Sequence, residues 1–334
     1  MVEGVVDDAV ADAYAACVRD ARRHYENFPV ASWLLPRDAR PHVAAVYAFA
    51  RAADDFADEG EREPGDRHRL LDWWSERLRA AASSDTPGPP PRPGEPSHTV
   101  DIFRAVGATI RACSLPLALF EDLLSAFRQD VDVTRYSTWA DLLDYCRRSA
   151  NPVGRLVLRI SGRQSAQLDG WSDDICTALQ LTNFWQDLQR DHDLGRVYLP
   201  RDEQRAHGAR EEDLAAGRMT PAWQAALEAA ALRTRALFNA GRPLCDVFHG
   251  RMRYELRATW LGGTRILDRL AAIRFDVAHR RPALGLRDAP WFAWKLLAWT
   301  GPDPRRRSGP RKRTAQPALA RRVARRPDDG EGDA

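Results

Sequence analysis

LQLTNFWQDLQRDHDLGRVYLP, residues 179–200, is apolar at helical spacing through Leu179, Leu181, Phe184, Trp185 and Leu188, yet a polar seam runs through the same turns. At 100° per residue, Gln180, Asn183, Asp187 and Asp191 share an arc about 80° wide. The order is amide, then Asp, then Asp, each four residues apart after Asn183. A polar seam inside an apolar helix predicts a helix wall that faces a cavity lined with oxygen ligands. The rest of the chain follows the same period. Ala, Leu and Arg dominate and β-branched alternation is scarce, so the expected fold class is all-α.

A second acidic pattern lies upstream in VYAFARAADDFADEG, residues 46–60. Tyr47, Arg51, Asp54 and Asp58 fall in a stripe about 60° wide. Asp54 and Asp58 are one turn apart, which sets their carboxylates roughly 6 Å from each other. Like charges at this spacing repel, and helix stability does not ask for them. Taken alone, DDxxD reads equally well as a solvated acidic helix end. Paired with the later seam, it reads as one of two opposed carboxylate faces. Hard oxygen ligands of this kind suit Mg²⁺, which completes its octahedron with water and phosphate oxygens. Two such faces can neutralise the charge that grows on a departing diphosphate.

Helices are expected near residues 7–25, 41–59, 66–82, 100–113, 116–128, 139–148, 152–160, 171–193, 220–240, 243–280 and 288–299. A break within 243–280 is open at Gly262–Gly263. Pro152 should start a fresh helix, since it cannot continue one. Residues 83–97, SSDTPGPPPRPGEPS, are too rich in proline for a helix and read as a loop or mobile linker, with an inserted surface loop favoured. One domain is expected over residues 1–300, with a disordered tail over 301–334. The segment 290–299, PWFAWKLLAW, reads as a last core helix or as an interfacial membrane contact, with core packing favoured.

The 334 residues are 44% hydrophobic and 29% charged, the balance of an ordinary globular protein. The ten Arg and Lys of residues 301–334 exceed the five Asp and Glu there by five, so residues 1–300 carry −2 of the total +3. Only two of the basic residues are lysines, Lys295 and Lys312, and this Arg bias weakens any nucleic-acid reading. No apolar run of about 18 residues and no signal-peptide pattern occurs, and the scattered cysteines (Cys17, Cys113, Cys146, Cys176, Cys245) form no CxxC pair. These features predict a cytoplasmic protein with reduced thiols, in peripheral contact with the inner face of the membrane if residues 290–299 serve as the interfacial segment. No GxGxxG, P-loop or GxSxG is present, so neither dinucleotide binding nor serine hydrolysis has a motif behind it.

DDFAD (Asp54–Asp58), NFWQDLQRD (Asn183–Asp191) and GRVYLP (Gly195–Pro200) resemble the two aspartate-rich motifs of the squalene/phytoene synthase family. The resemblance runs from about His24 to Pro282. It implies an isoprenoid-synthase helical bundle with a deep central cavity and Mg²⁺-dependent chemistry on prenyl diphosphates, with two or three ions. HYENFPVASWLLP (His24–Pro36), CRRSANPVG (Cys146–Gly154), LGGTRILD and FDVAHRRP (Leu261–Pro282) resemble the hopanoid-pathway, hydroxysqualene-forming branch. That branch ionises presqualene diphosphate, supplied by a partner presqualene diphosphate synthase, and lets water trap the rearranged cation without NADPH. Condensing members often carry a tyrosine where Gly263 falls, and a Gly or Ala-Gly step where this chain has Asn151-Pro152.

The resemblance also assigns roles. Asp54, Asp58, Asn183, Asp187 and Asp191 are the implied Mg²⁺ ligands. Arg51 is the direct diphosphate contact, with a helix-internal partner for Asp54 or Asp55 as the plainer reading. Arg196 and Tyr198 match a basic-aromatic pair near the diphosphate, and His24 and Tyr47 match pocket positions. Tyr145 matches a cavity tyrosine that steadies cation charge through its ring face, with core packing as the alternative. Gln180 lines the same pocket, and Arg280 or Arg281 closes over the phosphate, with an exposed surface charge as the alternative. Phytoene, dehydrosqualene or complete squalene synthesis shares this ionisation site. A non-catalytic scaffold on the same fold is expected to have lost its Asp motifs.

Overall fold

The computed structural model describes residues 8–23, 34–84 and 88–299. His24 and the tail from residue 300 lie outside the described residues. The chain runs through α1 (Asp8–Arg23), α2 (Ala39–Asp58), α3 (Pro64–Ser83), α4 (Thr99–Cys113), α5 (Leu117–Asp132), α6 (Trp139–Ser149), α7 (Asn151–Ile160) and α8 (Ala166–Gln186). It continues through α9 (Leu188–Asp193), α10 (Arg201–His207), α11 (Glu211–Ala215), α12 (Pro221–Gly241), α13 (Leu244–Val247), α14 (Gly250–Ala272) and α15 (Ala289–Leu297). Among the described residues, β pairing is confined to one bridge between Arg135 and Val197. The all-α expectation holds.

Helices α1 to α5 pack on one another, as do α7, α8, α12 and α14, and α7 touches both α2 and α8. Close approach at this join needs glycine. A Cβ on Gly154 of α7 would come within 2.2 Å of the Ser172 hydroxyl and 2.6 Å of the Cys176 sulfur on α8. Gly263 of α14 meets the Phe238 ring of α12 in the same way, at 2.3 Å. Gly262 and Gly263 do not break the helix as sequence allowed. The break falls at Phe248–His249, and the helix ends at Ala272. The expected helix 171–193 is likewise interrupted at Asp187, although the Asp187 and Asp191 amides still reach the carbonyls four residues back, at 2.9 and 2.8 Å.

The described part of the proline-rich segment is a loop, as favoured from sequence, and it is anchored. Arg77 on α3 donates to the carbonyls of Pro89 and Pro90 at 2.9 and 2.8 Å, and to both carboxylate oxygens of Glu95 at 2.9 and 2.7 Å. The aromatic segment near the end forms α15, but none of its residues is buried, so it is not a core helix.

Candidate active site

α2 is buried nearly all round. Val43, Ala44, Ala45, Val46, Ala48, Phe49, Ala52, Ala53, Phe56 and Ala57 are all inside, and the stripe left open carries Tyr47, Arg51, Asp54 and Asp58. Acidic residues in the last turn of a helix oppose its dipole. The helix end is held instead by Arg67, whose guanidinium takes the carbonyls of Phe56, Ala57 and Gly60 at 3.1, 2.8 and 2.7 Å. α8 repeats the pattern. Leu181, Thr182, Phe184 and Trp185 are buried, Gln180 and Asp187 are half-buried, and Asn183 is exposed. Both polar seams read from sequence lie on less-buried stripes beside the buried faces of their helices.

GRVYLP joins them. Gly195 takes a positive φ of 84° to end α9. The Val197 and Arg201 amides then bond the carbonyls of Thr134 and Tyr136, at 3.0 and 2.9 Å, which lays the segment along the α5–α6 loop. From there the Arg196 guanidinium reaches Asp58 at 2.6 Å. Arg51 holds Asp55 and Glu59, each at 2.7 Å, with Asp54 at 3.6 Å, so the helix-internal reading of Arg51 describes its contacts. Both Arg280 and Arg281 are exposed, and Arg281 pairs with both oxygens of Asp187. Of the two arginines considered, Arg281 is the one brought to the acidic rim.

The electrostatics are uneven. The Asp54 side chain stays 40% exposed, yet protein surrounds it on most sides. That poor solvation, then Asp58 and Asp55 beside it, push its carboxyl up to about 7 against the pull of Arg51 and Arg196. Burial, followed by repulsion from Asp187 and Asp58, likewise raises Asp191 to about 7. The repulsion that Asp58 exerts on Asp191 places the two acidic faces within Coulomb range. Among the described residues, no three acidic, His or Cys side chains converge into a ready-made metal cage. The donor set still fits Mg²⁺, which takes one or two carboxylates and shares substrate phosphates. Asp54 and Asp191 are short of positive charge in the way such an ion would relieve.

Sequence reasoning missed Asp130. It lies in the last turn of α5 on the stripe of Leu123, Ala126 and Phe127, so an acid at a core position was the available signal. The Tyr145 hydroxyl donates to its Oδ2 at 2.9 Å, while Oδ1 is buried without a hydrogen-bond partner. Burial, reinforced by Asp58, raises this carboxyl to about 8. Around it stand Tyr136, Tyr145, Phe184 and Tyr198, all buried, with Phe184 and Tyr198 stacked at 3.8 Å. An apolar pocket of about 610 Å³, part of it open to solvent, lies among α2, α7, α8 and α14, lined by Val43, Val157, Cys176, Leu179 and Met252.

A sequence profile of the squalene/phytoene synthase family matches residues 21–288. The chain is 36% identical over 232 residues to the hydroxysqualene synthase of Rhodopseudomonas palustris, spanning 69% of this chain and 74% of that one. It is 32% identical over 274 residues to the phytoene synthase of Thermus thermophilus, spanning 81% and 88%. The solved structure of squalene synthase HpnC from Alicyclobacillus acidocaldarius superposes with a TM-score of 0.72 at 39% identity, over 81% of this chain and 97% of that one.

Proposed function

Because the chain belongs to the squalene/phytoene synthase family of prenyl-diphosphate-processing enzymes, we propose that it converts presqualene diphosphate to hydroxysqualene and diphosphate, with Mg²⁺ and without NADPH. The observation that carries this reading is the Arg196–Asp58 contact at 2.6 Å. It draws two acidic helix faces together beside a buried wall of aromatic rings. The relatives named hydroxysqualene synthase favour the water-trapping reaction within the family.

In this reading Asp54, Asp58, Asn183, Asp187 and Asp191 would hold the metal, with Tyr47 and Gln180 lining the pocket and His24 assigned to it by the family resemblance alone. When bound, Mg²⁺ supplies Lewis-acid charge to the diphosphate oxygens. Arg196 and Arg281 turn from Asp58 and Asp187 toward the diphosphate as fixed forks. The carbon–oxygen bond breaks with its electron pair leaving on diphosphate. The faces of Tyr145, Phe184 and Tyr198 steady the cation that remains. Water forms the new carbon–oxygen bond and gives up a proton. The apolar pocket houses the hydrocarbon arms and keeps other nucleophiles away.

Incubation with presqualene diphosphate and Mg²⁺ in ¹⁸O-labelled water, without NADPH, tests this by mass spectrometry of the product. A labelled alcohol is expected. An unlabelled alcohol, or squalene formed only when NADPH is added, rejects it. The phytoene synthase relative supplies a second reading. Product formation from geranylgeranyl diphosphate alone, with presqualene diphosphate left untouched, would select that reading.

A further inference from the structure

Large exposed apolar side chains are concentrated in one place. Among the described residues, Leu284, Leu286, Trp294 and Leu297 are exposed within a stretch of fourteen positions, with Leu286 at 94%, Leu297 at 84% and Trp294 at 67%. Trp294 and Leu297 lie three residues apart on α15 and so share a face. This tip is held out, not merely left loose. At its start, buried Asp288 accepts from Arg269 at 2.5 Å and from the Gly285 amide at 2.8 Å. Beyond its end, the Trp299 indole donates to Asp246 at 2.9 Å and packs edge-on against Trp260 at 5.5 Å. Both ends are tied down while the middle presents tryptophan and leucine to solvent, at a cost in exposed apolar area that an isolated molecule does not recover.

We infer that α15 and the preceding loop seat the protein on an anionic lipid bilayer. Three observations choose this occupant. The first is charge. Arg287 and Lys295 flank the exposed apolar residues, and the sequence continuing past α15 reads RRRSGPRKR at 305–313, six basic residues in nine. Charge of this sign attracts lipid phosphate, and on the described face Arg287 and Lys295 repel a second copy. The second is residue type and length. Tryptophan prefers the headgroup boundary, and a nine-residue helix can lie in that boundary but cannot span it. The third is position. The loop leading to α15 begins at the acidic rim, where Arg281 holds Asp187 and Gln186 donates to the Pro282 carbonyl. A substrate with long apolar arms, if dissolved in the bilayer, would meet the cleft beside the element that docks.

The inference is separable from the reaction assigned above, since binding is read without turnover. The full chain is sedimented with vesicles of phosphatidylcholine alone and of phosphatidylcholine mixed with phosphatidylglycerol. Wild type is expected in the pellet with the mixed vesicles and to bind the neutral ones at least about tenfold more weakly. Trp294→Glu with Leu297→Glu is expected to lower binding to mixed vesicles by about a hundredfold or more. Leu232→Glu, at an exposed leucine on α12, should leave binding unchanged. Unfolding curves and turnover of detergent-dispersed substrate should match wild type in both. Trp294→Ser alone serves if the double variant fails to fold, with a smaller loss of the same sign. Failure of wild type to bind either vesicle overturns the inference, as does undiminished binding by a folded variant. A dimer that the variant splits, with vesicle binding intact, assigns the face to self-association and also overturns it.

Discussion

The placing of Asp54, Asp58, Asp187 and Asp191 on less-buried helix stripes was legible, because a carboxylate repeated one turn apart has no place in the stability of an apolar helix. Asp54→Ala or Asp187→Ala is expected to lower turnover by on the order of a hundredfold or more with the fold intact, because these groups face the cleft and not the core. Near-normal turnover in both variants at saturating Mg²⁺, with far-UV circular dichroism unchanged, would show the acidic faces to be solvent decoration. Asp130 was not legible, since a single acid on an apolar stripe looks like an error of periodicity until Tyr145 is seen to bond it. Its raised carboxyl gives a signed expectation. The folded state keeps its proton up to about pH 8, whereas the unfolded chain releases it near pH 4. Stability from this group is therefore full below about pH 4 and is lost progressively as pH rises through that window. Asp130→Asn keeps an acceptor for Tyr145 and has no charge to bury. Its Tm relative to wild type should rise more at about pH 9 than at about pH 6. An equal offset at both pH values would mean that the carboxyl ionises in the fold as freely as in water.

At the scale of elements, period and proline placed the main helices, and the start of α7 at Asn151-Pro152 was readable from backbone chemistry alone. Helices α10 and α11 were missed because five to seven residues carry too little periodicity to stand out. The break in the α13–α14 region was misplaced for another reason. Gly263 looked like a weak point, but its missing side chain is what admits the Phe238 ring, a tertiary fact with no local signature. The proline-rich loop teaches the same lesson. Its composition forbade a helix but did not reveal that Arg77 and Glu95, with side chains 4% and 0% exposed, lock it to α3. Arg77→Ala leaves a buried carboxylate without its partner and is expected to destabilise the protein by about 3–5 kcal/mol, read by urea denaturation. A loss below about 1 kcal/mol would place that pair among ordinary surface ion pairs.

For the whole molecule, the all-α class and the squalene/phytoene synthase family were both legible, because the two acidic motifs are each local and their meaning comes from being paired. The exposure of α15 was not, since an aromatic-rich segment reads alike whether it fills a core or faces outward. Deleting residues 305–334 is expected to leave turnover of a detergent-dispersed substrate nearly unchanged, because proline and like-charge runs do not build a packed core. A truncated chain that no longer folds would extend the domain past residue 304. The Arg196–Asp58 contact has one more consequence, which concerns the order of assembly. It closes a loop of 138 residues, and contacts so distant in sequence form only after much of the intervening chain has been ordered. A nascent chain therefore carries Asp54 and Asp58 long before Arg196 exists to meet them, and the acidic rim is complete only once GRVYLP has been synthesised and laid down. The contact is thus a late marker of assembly: a chain in which Arg196 has reached Asp58 has already ordered much of what lies between them.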